Sequence, residues 1–241
     1  MFYFLLSPIL TYNFILIAAA VIPAVFLMVR VYRADRLEKE SPRQLWALIR
    51  GGILSALLAL VEERVLSWGL DAAVEKNTVL YNVLLYFVIV AVSEESSKYI
   101  FLRRSSWRSP EFNCQYDGVV YAVFTSLGFA LWENISYVIN YGFGTALVRA
   151  VTAIPGHACF GVFMGVFYGM AKKYDYNRMP KVSTVCRCCA IVVPALLHGT
   201  YDYIASTEAQ GSTWFFLGFI AVLFVVSYAL VGKAASNDQY I

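Results

Sequence analysis

Apolar stretches separated by short polar ones run the length of the chain. Seven continuous apolar runs can be drawn, at about residues 9–29, 45–66, 79–102, 116–139, 146–171, 186–206 and 212–232. Each is near the roughly 20 residues that an apolar helix needs to cross the hydrocarbon of a bilayer. In lipid, backbone polar groups are satisfied only within helices or closed barrels. The runs are continuous rather than alternating, so they predict an all-α, polytopic transmembrane bundle of about seven spans. The first residues, MFYFLLSPILTYNF, lack a basic region and a short apolar segment leading to a cleavage site. They read as a first span rather than a removed signal peptide. No internal repeat or low-complexity stretch is visible, and one integral-membrane domain over 1–241 is expected.

Composition agrees. The chain is 60% hydrophobic and 15% charged, against about 25% charged in soluble domains, and its mean hydropathy is +0.63. Seven spans leave no room for a folded extramembrane domain, and the expected surroundings are the lipid bilayer, with no nucleic-acid partner. The position of the charges says more than their net value of +3. The loops and flanks after runs 1, 3, 5 and 7 hold 15 of the 19 Lys and Arg residues, among them Arg30, Arg33, Arg36, Lys39, Arg103, Arg104, Lys172, Lys173 and Lys233. Positive-inside bias therefore puts the N-terminus outside and the C-terminus in the cytoplasm. Five cysteines, an odd number, argue against a disulfide framework, and Cys186, Cys188 and Cys189 lack the pair spacing of a zinc finger.

Ionisable residues inside spans are costly and persist where they pair, face water or do chemistry. Both histidines of the chain, His157 and His198, fall inside apolar runs, as do Glu94, Glu95, Lys98, Glu133 and Asp202. Glu94 and Lys98 are four apart on one helix face. Glu95 is rotated by about 100° from Glu94, so at most one of the two acids is expected to pair directly with Lys98. Glu133 shares a face with Phe129 and Tyr137 and precedes Asn134. The sequon Asn134-Ile135-Ser136 lies within a span, out of reach of modification. Asp117 reads as a charge at a helix N-terminus. Pro155-Gly156 should loosen the helix just before His157. Gly161, Gly165 and Gly169 continue from His157 in steps of four, a pattern that lets another helix approach closely. His198 and Asp202 share a face, and the carboxylate can orient the imidazole. Pro194 and Gly199 should break regularity nearby. Each feature has a bland reading: a structural ion pair, a packing face, a satisfied histidine. Glu62, Glu63 and Arg64, at the outer end of run 2, read as snorkelling charges, as does Arg149 at the outer mouth of run 5.

Taken together, Glu94-Glu95-Ser-Ser-Lys98, Phe129-x-x-x-Glu133 with Asn134 and Tyr137, Pro155-Gly156-His157-x-x-x-Gly161, and His198-x-x-x-Asp202 resemble the four motifs of the PrsW family. That family consists of bacterial intramembrane proteases related to the type II CAAX prenyl endopeptidases. The resemblance covers residues 79–206 by motif and the whole chain by topology. It implies a multi-pass protein of the bacterial cell membrane that cleaves a membrane-spanning protein, such as an anti-sigma factor. It also implies a site drawn from Glu94, Glu95, Lys98, Glu133, Asn134, His157, His198 and Asp202. Two departures from the wider superfamily, Glu133 where that group has His and Asp202 where it often has Asn, favour the PrsW branch. They also make the prenyl endopeptidase mechanism unsafe to copy.

Two chemistries remain open. A glutamate such as Glu94 or Glu95 can act as base toward water, with a histidine or Asn134 donating to the oxyanion. Alternatively, His157, His198 and a carboxylate from Glu94, Glu95 or Glu133 can bind zinc or another divalent metal. A proton-coupled transporter using the same groups as a relay is the non-enzymatic alternative. Residue counting puts both histidines nearer the outer side than Glu94 and Glu95, a mismatch of depth that the fold must resolve.

Overall fold

A computed structural model describes residues 8–207 and 211–241, with side chains from residue 14 onward. The start of the N-terminal stretch read as a first span lies outside the described residues. The helices, in chain order, are α1 Pro8–Ala34, α2 Pro42–Ala73, α3 Val79–Val83, α4 Ala91–Ser106, α5 Asp117–Tyr141, α6 Phe143–Val151, α7 Ala153–Tyr176, α8 Pro180–Ala205 and α9 Ser212–Ser236. A π-helical stretch, Leu84–Val90, joins α3 to α4. Seven segments are long and apolar enough to cross a membrane; the third is Val79–Ser106 and the fifth is Phe143–Tyr176. Among the described residues there is no β-strand, only an isolated bridge between Cys114 and Tyr240.

α5 is the central post. In its most apolar window 78% of residues are buried, against 17% for α9, so α5 is enclosed by protein while α9 mostly faces outward. Its neighbours reach it through small residues. A Cβ at Gly165 would fall 2.5 Å from Val119 Cα, and one at Gly161 2.9 Å from Ser126 Oγ. The glycine steps of α7 are thus the face that packs on α5. Without a hydrophobic drive between spans in lipid, such close backbone contact holds helices together.

Two local expectations need correction. Span 5 breaks at Thr152, where φ is −120° and ψ −73°, rather than at Pro155-Gly156. Pro155 falls in the first turn of α7, where its missing N–H removes no intrahelical bond. α8 continues through Pro194, and Gly199 instead makes room for Phe87, whose Cδ1 would lie 2.6 Å from a Cβ there. The π-helical stretch before Glu94 has no signal in the apolar pattern. Such stretches are often found at functional sites, and this one leads directly into the first turn of α4, which carries Glu94.

The basic loops meet at one end of the bundle. Ser41 N and Oγ donate to Glu111, each at 2.9 Å. Lys172 Nζ donates to Trp107 O at 2.8 Å, and Gln115 N donates to Gln239 O at 3.1 Å. The connections after spans 1, 3 and 5 and the C-terminal tail are therefore tied to one another.

Candidate active site

α4, α5, α7 and α8 bring the intramembrane ionisable groups together. The Lys98 ammonium, fully buried, lies 3.1 Å from Glu94 Oε2 and 2.7 Å from Glu95 Oε1. The expectation that only one acid pairs with Lys98 is corrected: positions three and four back along a helix are both neighbours, and the long lysine side chain reaches both. Lys98 also stands over the Phe129 ring, 4.1 Å from its centroid, a cation–π contact that explains an aromatic residue four before Glu133.

The histidines are adjacent, with ring centroids 5.4 Å apart and planes at 84°. His157 Nδ1 is 3.2 Å from Lys98 Nζ, and its Nε2 is 2.8 Å from Glu133 Oε2. His198 Nδ1 is 2.9 Å from Glu95 Oε1, and its Nε2 is 3.4 Å from Asp202 Oδ2. Phe160 stacks on the His198 ring at 4.8 Å and restricts its rotation. The mismatch of depth disappears in this packing, where span 5 begins at Phe143 and is broken at Thr152.

A cavity of about 630 Å³ opens onto Glu63, Glu94, Glu133, Arg149, His157, His198 and Asp202, with Tyr137, Phe160, Tyr201 and Phe216 among its walls. Glu95 and Lys98 sit behind that wall. Asn134 also lies away from it: its amide donates to Ala20 O at 3.0 Å and accepts from Arg149 Nε at 2.9 Å. Both of its polar ends are engaged, so Asn134 holds Arg149 in place.

Two residues read as snorkelling charges line the cavity instead. Arg149 Nη2 lies 2.9 Å from Glu133 Oε2, and the guanidinium covers Tyr137 at 4.1 Å. The Nη2 contact is an ion pair lacking hydrogen-bond alignment, which leaves that group without an acceptor for its protons. Glu63 faces the cavity, and Glu62 accepts from Ser97 Oγ at 3.1 Å. The correction has a simple cause. α2 runs on to Ala73, past the end of the apolar run, so the acidic pair sits beside α4 rather than at a helix end.

For a metal, Glu94, His157 and His198 each offer one ligand atom, all within 4.8 Å of one another. This group draws on Glu94, one of the three carboxylates that the sequence offered beside the two histidines. Glu95 is closed off by Lys98 and His198, and Glu133 is engaged by His157 and Arg149.

Comparison with known proteins places this sequence in a family. The model of the PrsW family intramembrane metalloproteases matches residues 40–231. A protease PrsW of Oceanobacillus iheyensis is 31% identical over 92% of this chain and 97% of its own length. A protease PrsW of Bacillus subtilis is 30% identical over 94% of this chain and 98% of its own. No solved structure matches the chain. With the family model spanning most of the sequence and these relatives covered nearly end to end, the chain belongs to the PrsW family of intramembrane proteases and is a multi-pass protease of the cell membrane.

Proposed function

We propose that this protease hydrolyses a peptide bond of a membrane-anchored protein, a single-span substrate of the anti-sigma-factor kind, at the cluster of Glu94, His157 and His198. The observation that carries the reading is the convergence of these three ligand atoms within 4.8 Å on the wall of a cavity of about 630 Å³. An extended stretch of substrate backbone entering that cavity would meet acids, imidazoles and an arginine together. Family membership weighs against the transporter alternative.

The donor set fits a divalent metal such as zinc. Two imidazoles and one carboxylate leave a fourth position for water or substrate. Each imidazole also carries a carboxylate contact, Glu133 on His157 and Glu95 on His198, the usual support for a ligating histidine. Such a metal would lower the pKa of bound water and polarise the scissile carbonyl. Around it, Glu133 is the acid positioned to move a proton at His157 Nε2. Arg149, ion-paired with Glu133 at 2.9 Å, brings positive charge to the wall where an oxyanion would form, and aromatic side chains line the rest. The family's description as metalloproteases supports this reading.

A second reading keeps the same residues without a metal. Lys98 already supplies positive charge to Glu94, Glu95 and His157 Nδ1, the position a metal on that nitrogen would have to share. Glu94, which faces the cavity, then acts as base toward water. In both readings the chain is one membrane-embedded domain with the N-terminus outside, on the charge bias of its loops. The deciding experiment measures cleavage of a single-span substrate in parallel with metal content. Loss of both together on removing either histidine supports the metal, and full activity of metal-free protein excludes it.

A further inference from the structure

At the end of the bundle where the basic loops meet lies a second group of acids, remote from the cavity. Asp35 follows the end of α1, Glu40 precedes the N-cap Ser41 of α2, and Asp117 is the first residue of α5, whose far part carries Glu133. Their exposures are 4%, 3% and 0%, and one oxygen from each lies within 4.8 Å of the others.

Two of these carboxylates are held from one side and bare on the other. Tyr121 Oη donates to Glu40 Oε2 at 2.6 Å, and Glu40 Oε1 has no partner. Asn113 N and Cys114 N donate to Asp117 Oδ2 at 3.0 and 2.7 Å, and Asp117 Oδ1 has none. Asp35 has no partner on either oxygen. Asp238 of the C-terminal tail repeats the arrangement: Oδ1 accepts from Tyr116 N at 2.8 Å and Gln239 N at 2.9 Å, and Oδ2 is bare.

Lys39 acts on Asp35 through space, but no basic side chain pairs directly with these acids. Among the described residues no Lys, Arg or His forms an ion pair with these acids, although Arg33, Arg36 and Lys39 lie in the same segment. Lys39 donates to the main-chain oxygens of Tyr32 and Asp35. Unpaired carboxylates out of water are costly, and neighbouring ones repel. A proton shared by Glu40 and Asp117 would relieve that pair and leave Asp35 bare.

We propose that Asp35, Glu40 and Asp117 form a binding site for a hard divalent cation, Ca²⁺ or Mg²⁺. The donors are all oxygens, which select such ions. Two oxygens on one ion are separated by at most twice the ion–oxygen distance, about 5 Å for Ca²⁺ and about 4 Å for Mg²⁺. The observed spacing accommodates Ca²⁺ as it stands, whereas Mg²⁺ draws the oxygens inward. The bound ion would tie the loop after α1 to the start of α5, and Asp238 would bring in the tail. The site is independent of the peptidase reading.

The test uses the full chain in detergent, stripped of divalent ions with EDTA and transferred to chelator-free buffer. CaCl2 or, in a parallel arm, MgCl2 at about a hundredfold excess over Kd should raise the unfolding temperature by roughly 5–10 °C. The rise should persist in the His157→Ala/His198→Ala double variant, which separates this site from the cavity, and should vanish in Asp35→Asn. Without divalent ions Asp35→Asn should unfold no lower than the unaltered chain, since it removes an unpaired buried charge. Terbium luminescence on the unaltered chain, displaced by CaCl2, reads binding directly should a variant fail to fold. Absence of stabilisation by either ion together with absence of terbium binding overturns the proposal. Equal stabilisation of Asp35→Asn overturns it too.

Discussion

Lys98 Nζ stands 3.2 Å from Nδ1 of His157. An ammonium group can only donate, so Nδ1 accepts and the ring proton sits on Nε2, where it meets Glu133 Oε2 at 2.8 Å. A residue behind the cavity wall thereby selects the tautomer of a residue in it, and it holds Glu94 and Glu95 at the same time.

Lys98→Met should therefore destabilise the protein strongly. Removing one partner of a buried ion pair costs about 3–5 kcal/mol, and here two carboxylates lose their cation. Adding Glu95→Gln should restore part of the loss, because sites in contact do not add. Denaturant unfolding in detergent measures both, and a Lys98→Met protein as stable as the parent would contradict this account of the core of the site.

Substitutions in the cavity should separate chemistry from folding. Glu94→Gln, Glu95→Gln, His157→Ala and His198→Ala should abolish cleavage of a single-span substrate while leaving folded protein in the membrane. Glu63→Gln should reduce turnover by about tenfold or more, at or below the lower end of the range for proton-transfer groups, because its carboxylate opens onto the cavity. Glu62→Gln should change little, since Glu62 only accepts from Ser97. Cleavage assays on membranes with matched protein levels give the comparison. Normal turnover by His198→Ala would remove it from any essential role.

A strong chelator should silence the enzyme until metal is returned if Glu94, His157 and His198 work by holding one, because ligand loss and metal loss are linked. Elemental analysis should then show metal lost in His157→Ala and His198→Ala alike. Activity that survives exhaustive chelation would instead assign the water-activating role to Glu94 alone.

Orientation can be read by labelling. In a background without the native cysteines, Lys76→Cys should react with an impermeant reagent added outside intact cells, and Arg178→Cys should not. Lys76 lies in the loop between α2 and α3, and Arg178 between α7 and α8. The reverse pattern would invert the topology.

The α5–α7 contact offers a packing test. Gly165→Ala would put a Cβ 2.5 Å from Val119 Cα and 2.6 Å from Gly118 O, backbone atoms that cannot swing aside. Overpacking of this kind costs about 1–3 kcal/mol, and the displacement would shift His157 relative to Glu133. Gly144→Ala, with nothing within 4 Å, is the control. Equal stability and activity of the two variants would remove Gly165 from the account.

The chain alone determined that this is a helical membrane protein, where its spans lie, and which ionisable residues belong to them. Each of these follows from local properties: apolar length against hydrocarbon thickness, the cost of intramembrane charge, and motif spacing along one helix face. Even the glycine face of α7 was legible, because small residues at a period of four identify a close contact without naming the partner. Tertiary structure decided which groups meet across helices. That Glu94 rather than Glu95 faces the cavity depends on how α4 packs against α2, α5 and α8. That Arg149 and Glu63 enter the site depends on where span 5 breaks and how far α2 extends, and the apolar pattern is silent on both. Asp35 and Glu40 lie close in sequence but far from Asp117, and all three are unremarkable one by one. Only the folded end of the bundle removes them from water together, and it is that shared burial without a direct ion pair which turns three ordinary acids into the proposed site.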